Sequence, residues 1–150
     1  MKKSDFQEII RFAMDREDES IQTYERMNQI AKTPGLKKLI DELKKEEENH
    51  KRLLKNLSQK RVESYNIKDI TDLKITDYLI QEKPGPDMDF QGLLTFAAQK
   101  EQKSVDLYSE LEKRAENEEI KKLFGYLVQQ EKSHKLKLEK EYDKQVLEED

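Results

Sequence analysis

The sequence predicts an all-α fold, a four-helix bundle made of two duplicated antiparallel hairpins joined by a long crossover. Three observations predict it. Glu, Lys, Leu and Gln are strong helix formers and dominate a 150-residue chain with only 4 Gly and 3 Pro, too few turn formers for an all-β fold. Apolar residues recur at spacings of three and four along four separate stretches. The second half repeats the first at a constant shift of 84 residues. The length suits one domain with a core, so 1–150 reads as a single domain. Charged residues reach 41%, but 29 basic and 33 acidic side chains nearly cancel, so self-repulsion does not hold the chain open.

The first hairpin spans about 4–57. Ser4 and Gln7 form a capping box ahead of Phe6, Ile9, Ile10, Ala13, Met14, Ile21, Tyr24, Met27 and Ile30 at helical spacing. Thr33 then reads as an N-cap with Pro34 at the first helical position, where its missing N–H costs nothing. Leu36, Leu39, Ile40, Leu43, Leu53, Leu54 and Leu57 form the apolar stripe of the second helix, and so short a connection makes the pair antiparallel. The crossover, 58–88, holds Ile67, Ile70, Leu73, Ile75, Tyr78, Leu79 and Ile80. It is too apolar for a free linker, so we expect it to pack on the bundle with one short helix. The second hairpin spans about 89–140. Its first helix follows Asp87 or Asp89 with Leu93, Leu94, Phe96, Ala97, Val105, Tyr108 and Leu111. Asn117 caps its second helix, with Ile120, Leu123, Phe124, Leu127 and Val128, and the tail from Glu139 is charged and expected to fray after its last apolar residues, Tyr142, Val146 and Leu147.

The repeat pairs Phe12 with Phe96, Ala13 with Ala97, Glu17 with Glu101, Ser20 with Ser104 and Tyr24 with Tyr108. Without a gap it goes on to pair Leu39 with Leu123, Leu43 with Leu127, Glu47 with Glu131 and His50 with His134. Even the caps Thr33 and Asn117 correspond. The chain has two histidines, and each follows a glutamate by three residues, in Glu47-x-x-His50 and Glu131-x-x-His134. Three residues apart on a helix is one face, so each pair can reach one ion together. One such pair in a Glu-rich helix reads as a surface ion pair; two in register with Glu17 and Glu101 read as a site.

Position supports the site. Glu17 and Glu47 each lie 14 residues from their turn, at Ala31 and Thr33, or roughly 21 Å along the helix axis. Glu101 and Glu131 sit likewise about Ala115 and Asn117. Four carboxylates therefore share one layer, with both imidazoles a turn away. Glu17 continues the phase of Ile10, Ala13 and Met14, Glu47 that of Leu43, and Glu131 that of Leu127, so they face inward, whereas Asp18, Glu19, Glu48 and Lys132 fall on other faces. Glu46 lies four residues before His50, but its repeat partner is Gln130, which favours Glu47 as the ligand. Unpaired carboxylates buried in such a layer would be costly, and cations would relieve that cost.

One Glu from each of two helices and Glu-x-x-His from each of the other two is the carboxylate-bridged two-metal pattern of helical bundles. On Glu17-x-x-Ser20-x-x-x-Tyr24, Glu47-x-x-His50, Glu101-x-x-Ser104-x-x-x-Tyr108 and Glu131-x-x-His134 the chain resembles the ferritin-like superfamily and, within it, the diiron domain of rubrerythrins. The resemblance implies that Glu17 and His50 hold one iron, Glu101 and His134 the other, and Glu47 and Glu131 bridge them. It also implies that Tyr24 and Tyr108 hydrogen-bond to those carboxylates. Mostly oxygen donors with one imidazole per ion suit two Fe ions per chain, or Mn in their place. Two departures stand out. The 150 residues contain no Cys for a rubredoxin-type site, and Gln102, Lys103 and Ser104 offer no extra glutamate beside Glu101.

The implied function is a redox-active diiron protein that reduces hydrogen peroxide or dioxygen while oxidising Fe(II), a peroxidase or ferroxidase. The alternative is iron binding or storage without turnover, or a bundle metallated only for stability. Expected partners are peroxide or dioxygen, a separate electron-donor protein for catalysis, and further copies of the chain in a homodimer or larger homo-oligomer. With no basic excess, nucleic acid is not an expected partner. No apolar run approaches the roughly 20 residues of a membrane span. Ser4, Asp5, Gln7 and Glu8 stand where a signal peptide needs an apolar stretch, so the expected location is the cytoplasm.

Overall fold

The computed structural model describes residues 3–59, 73–80 and 83–149. They form four long helices, α1 (Lys3–Ile30), α2 (Pro34–Gln59), α3 (Phe90–Arg114) and α4 (Glu118–Glu149), with one 3-10 turn at Ile75–Tyr78. α1 packs chiefly on α2 and α3 chiefly on α4; α1 and α3 join the hairpins, while the α2 and α4 backbones hardly approach each other. This is the ferritin-like four-helix bundle that the sequence predicts. Among the described residues no helix is long and apolar enough to cross a membrane.

Local chemistry sets three of the helix starts. The Thr33 hydroxyl accepts from Leu36 N at 3.1 Å, with Pro34 as the first helical residue. Asp89, rather than Asp87, caps α3 by accepting from Gly92 N at 2.8 Å. Asn117 Oδ1 accepts from Glu119 N at 2.8 Å and from Ile120 N at 3.2 Å. At α1 the expectation fails: the helix already includes Lys3, so Ser4 lies inside it, and the side chain that was to form the box lies outside the described residues.

Other boundaries differ too. α2 continues to Gln59, beyond the expected end at 57, and α4 continues to Glu149, beyond the expected hairpin end at about 140 and past Leu147, after which fraying is expected. The last turns of α4 are alternately half-buried, as at Glu141, Gln145 and Val146, and this side contact supports a helix that the charged sequence alone does not. Ile30, read as part of the apolar stripe, is exposed at the last residue of α1, where no neighbouring helix covers it. In the crossover, Leu73 and Tyr78 pack on the core as expected, and Lys103 Nζ donates to the Asp77 carbonyl at 3.0 Å. The expected contribution of Ile67 and Ile70 lies outside the described residues.

The apolar core is divided in two. One cluster gathers Phe6, Ile10, Ala13, Leu54, Tyr108, Leu111, Phe124 and Leu127. The other gathers Tyr24, Met27, Ile40, Leu43, Leu94, Ala97 and Leu138. Between them lie residues 17–20 of α1, 47–50 of α2, 100–104 of α3 and 131–134 of α4, including the buried Glu17, Glu47, His50, Glu101, Glu131 and His134. The fold thus brackets a polar layer between two apolar plugs.

The caps provide a test of this account. Thr33→Ala and Asn117→Ala should each cost about 1 kcal/mol, lowering the thermal midpoint by roughly 2–4 °C for a domain of this size. Circular dichroism melts check it; no change for either variant would mean that the hairpin turns are not set by their caps.

Candidate metal centre

Each helix delivers its polar residue from the same height. Glu17 and Glu101 come from α1 and α3, and Glu47 with His50 and Glu131 with His134 come from single faces of α2 and α4. All six side chains are between 0 and 1% exposed. His50 Nδ1 lies 2.7 Å from Glu131 Oε1 and 3.7 Å from both Glu17 Oε2 and Glu47 Oε2. His134 Nδ1 lies 2.6 Å from Glu47 Oε1, 3.6 Å from Glu101 Oε1 and 3.7 Å from Glu131 Oε1. The imidazoles stack with centroids 5.6 Å apart and planes 14° from parallel. Two donor sets result, Glu17–Glu47–His50–Glu131 and Glu47–Glu101–Glu131–His134, each with ligand atoms within 4.8 Å of one another. Glu47 and Glu131 belong to both sets.

The two tyrosines tie the hairpins together crosswise. Tyr24 Oη donates to Glu101 Oε1 at 2.6 Å, and Tyr108 Oη donates to Glu17 Oε1 at 2.5 Å. Burial, reinforced by the surrounding carboxylates, raises both phenols well above their ordinary value, so they remain donors.

The electrostatics are those of crowded, dehydrated acids. Burial pushes the Glu17 and Glu131 carboxyls well up, and the charge of neighbouring glutamates pushes the same way. Burial also opposes ionisation of Glu47, but the close approach of Glu17, His134 and His50 outweighs it and holds Glu47 well below the usual range. Burial would pull the imidazoles down, yet their contacts with Glu17 and Glu47, and with Glu101 and Glu47, raise His50 to about 10 and His134 to about 11.

The donor set fits two divalent cations better than it fits itself. Among the described residues, Glu17 Oε2, Glu47 Oε2, Glu101 Oε2, both Glu131 oxygens and both His50 nitrogens are buried without a hydrogen-bond partner. Even the 2.7 Å approach of His50 Nδ1 to Glu131 Oε1 lacks hydrogen-bond alignment. Each such group costs about 1–3 kcal/mol left unsatisfied. Four carboxylates carry four negative charges when ionised, which two divalent ions neutralise with both imidazoles neutral. Glu47 and Glu131 each belong to both sets, so each could supply an oxygen to either position.

Two neighbours were not legible as contributors. Glu46 Oε2 makes a short contact with His134 Nε2 across the bundle, although in sequence it stands nearer His50. Lys100, only 5% exposed, reaches from α3 to Glu19 of α1 at 3.1 Å. Burial lowers its ammonium pKa, with Glu19 opposing. A signal existed for Lys100: the repeat pairs it with Arg16, so a base precedes the ligand-position glutamate in each hairpin. Ser20 and Ser104 are both buried small residues at repeat-equivalent positions.

Protons and cations compete for these side chains. In protein stripped with a chelator, the raised imidazole values mean that their ion pairs contribute fully below 6.5 and are lost as pH rises through about 10 and 11. Added Mn(II) must displace those protons, so it should raise the thermal midpoint more at about pH 8 than at about pH 6. A shift equal at both pH values would contradict the competition.

A family model described as Rubrerythrin matches residues 1–58 and 90–150, which are the two hairpins. No curated protein matches the chain. A solved structure of a hypothetical protein from Pyrococcus furiosus is similar in fold, with a TM-score of 0.70 and 24% identity over 92% of this chain and 88% of that one. Given the family match over both hairpins and the two buried Glu/His clusters that they bring together, the chain belongs to the rubrerythrin family.

Proposed function

We propose that the chain is a diiron-carboxylate redox protein that reduces hydrogen peroxide or dioxygen while Fe(II) is oxidised. The observation that carries this reading is the pair of buried donor sets that share Glu47 and Glu131. Glu17 with His50 and Glu101 with His134 would hold the two ends, and Glu47 and Glu131 would bridge. When bound, two ferrous ions supply the two electrons that, with two protons, convert hydrogen peroxide to two waters. Iron suits the donor set, and Mn(II) shares the same preference for oxygen with imidazole.

The protein's part is to bind, orient and exclude water. Tyr24 and Tyr108 hold the Glu101 and Glu17 carboxylates from the opposite hairpin and so fix their orientation in the layer. The apolar clusters on both sides of the layer keep bulk water away and strengthen each electrostatic contact within it. The sequence supplies no Cys or second cofactor motif, so electrons for a further cycle would come from a separate donor protein or from fresh Fe(II).

Ligand roles are separable by mutation. Glu47→Ala and Glu131→Ala should lower the bound-metal stoichiometry to a similar degree, because both belong to both donor sets. Glu48→Ala should leave it unchanged, since Glu48 lies off the layer against Lys44 at 4.0 Å. Metal analysis after anaerobic reconstitution reads this directly; equal losses at Glu47 and Glu48 would contradict the assignment.

Turnover tests the chemistry. Diferrous protein should oxidise within seconds of adding hydrogen peroxide or air, followed by its optical spectrum. NADH alone should not sustain cycling, whereas a reductase with a small electron-transfer protein should. Oxygen consumption supported only by added Fe(II) would establish the storage or ferroxidase alternative. A diferrous form that stays reduced in excess peroxide would leave metal binding for stability alone.

A further inference from the structure

The two imidazoles are not treated alike by the residues outside the layer. His134 has both ring nitrogens engaged, Nδ1 with Glu47 at 2.6 Å and Nε2 with Glu46. His50 presents Nδ1 to the layer, but its Nε2 is buried and has no hydrogen-bond partner among the described residues. What stands beside the His50 ring is Tyr126, edge-on with centroids 6.3 Å apart and planes 85° apart. The 84-residue repeat shows that this difference is written in the chain. The position equivalent to Glu46 is Gln130, and the position equivalent to Tyr126 is Glu42. Hence a carboxylate covers the outer nitrogen of one histidine, whereas the repeat offers the other only Gln130, which has no negative charge.

That difference has a chemical consequence. An imidazole that ligates through Nδ1 must carry its remaining proton on Nε2. A carboxylate accepting that N–H selects the tautomer, fixes the plane of the ring and makes the inner nitrogen a stronger donor. Resting on the dimetal reading above, we infer that the two metal positions are inequivalent, with Glu46 on His134 making the Glu101–His134 position the tighter one. Glu46 is a positioning residue: it acts through His134, and it lies outside both donor sets. Its side chain is 39% exposed, so unlike the six buried residues it keeps contact with solvent and does not add to their crowding. Partners of this kind change metal affinity by about 10–100-fold.

The test is a titration of chelator-stripped protein with Mn(II) alone, at fixed pH, followed by calorimetry and by the electron paramagnetic resonance signal of free Mn(II). The natural protein should bind in two steps whose affinities differ by about tenfold or more. Glu46→Ala should weaken the tighter step by about 10–100-fold and spare the other. Glu46→Gln, which keeps an acceptor without the charge and preserves side-chain size, should lie between. Gln130→Glu should tighten the weaker step, because it offers His50 the missing carboxylate. His50→Ala should remove the weaker step and His134→Ala the tighter one. Two equal steps in the natural protein overturn the inference, as does a Glu46→Ala protein that loses both steps equally, the pattern of a merely structural role. The same holds if His50→Ala removes the tighter step. Two ions bound with equal affinity overturn this inference alone, while a folded protein that binds no Mn(II) overturns the dimetal reading along with it.

Discussion

Burial of four carboxylates and two imidazoles in one layer is the constraint around which this molecule is arranged. Ionisable groups without water or partners are among the most expensive contents of a protein interior. Here they interrupt the core completely, leaving one apolar cluster around Phe6, Leu54 and Phe124 and another around Met27, Ile40 and Leu94. The bundle tolerates the interruption because the two clusters pack independently and because the acids are partly neutralised by their own imidazoles. Across the α2–α4 side, where the backbones hardly approach, the two imidazoles stack on each other.

Duplication makes the layer possible. A glutamate placed 14 residues from a hairpin turn, on both strands of two equal hairpins, arrives at one height four times. A shared height is what lets Glu47 and Glu131 reach into both donor sets. The crosswise bonds of Tyr24 to Glu101 and Tyr108 to Glu17 then couple the hairpins, so that each half orients an acid of the other. The buried Lys100, bound to Glu19, adds a further tie between α1 and α3 directly beside Glu101.

Much of this was legible because it is local. Thr33 and Asn117 act on backbone N–H groups within three residues, helical phase places Glu17, Glu47 and Glu131 on inward faces, and the repeat adds Glu101. Tyr24 and Tyr108 were legible through the family resemblance and not through spacing, which marks them only as aromatics on an inward face. The failures are tertiary. Glu46 was set aside because the repeat offers Gln130 as its counterpart, a sound rule for residues that obey the repeat and a misleading one where function departs from it. The full length of α4 depends on side contacts near Glu141 and Val146 that composition does not reveal. Ile30 satisfied the periodicity but had reached the end of its helix, where no partner remains.

The departures from the repeat are themselves organised. The six residues of the donor sets and the two tyrosines obey it, and on the α1–α3 side Arg16 and Lys100 preserve a positive charge at equivalent positions. On the α2–α4 side, where the outer nitrogens of the imidazoles point, the rule breaks: Glu46 faces Gln130 in the repeat, and Glu42 faces Tyr126. A duplicated hairpin left unmodified would give two equivalent positions. Substitution within the donor sets would risk exposing an unpaired buried charge, whereas substitution on the half-exposed flank at Glu46 or Tyr126 alters an imidazole while leaving the layer intact. The flank between α2 and α4 is therefore the place where a symmetric scaffold can distinguish its two halves at the least cost to its core.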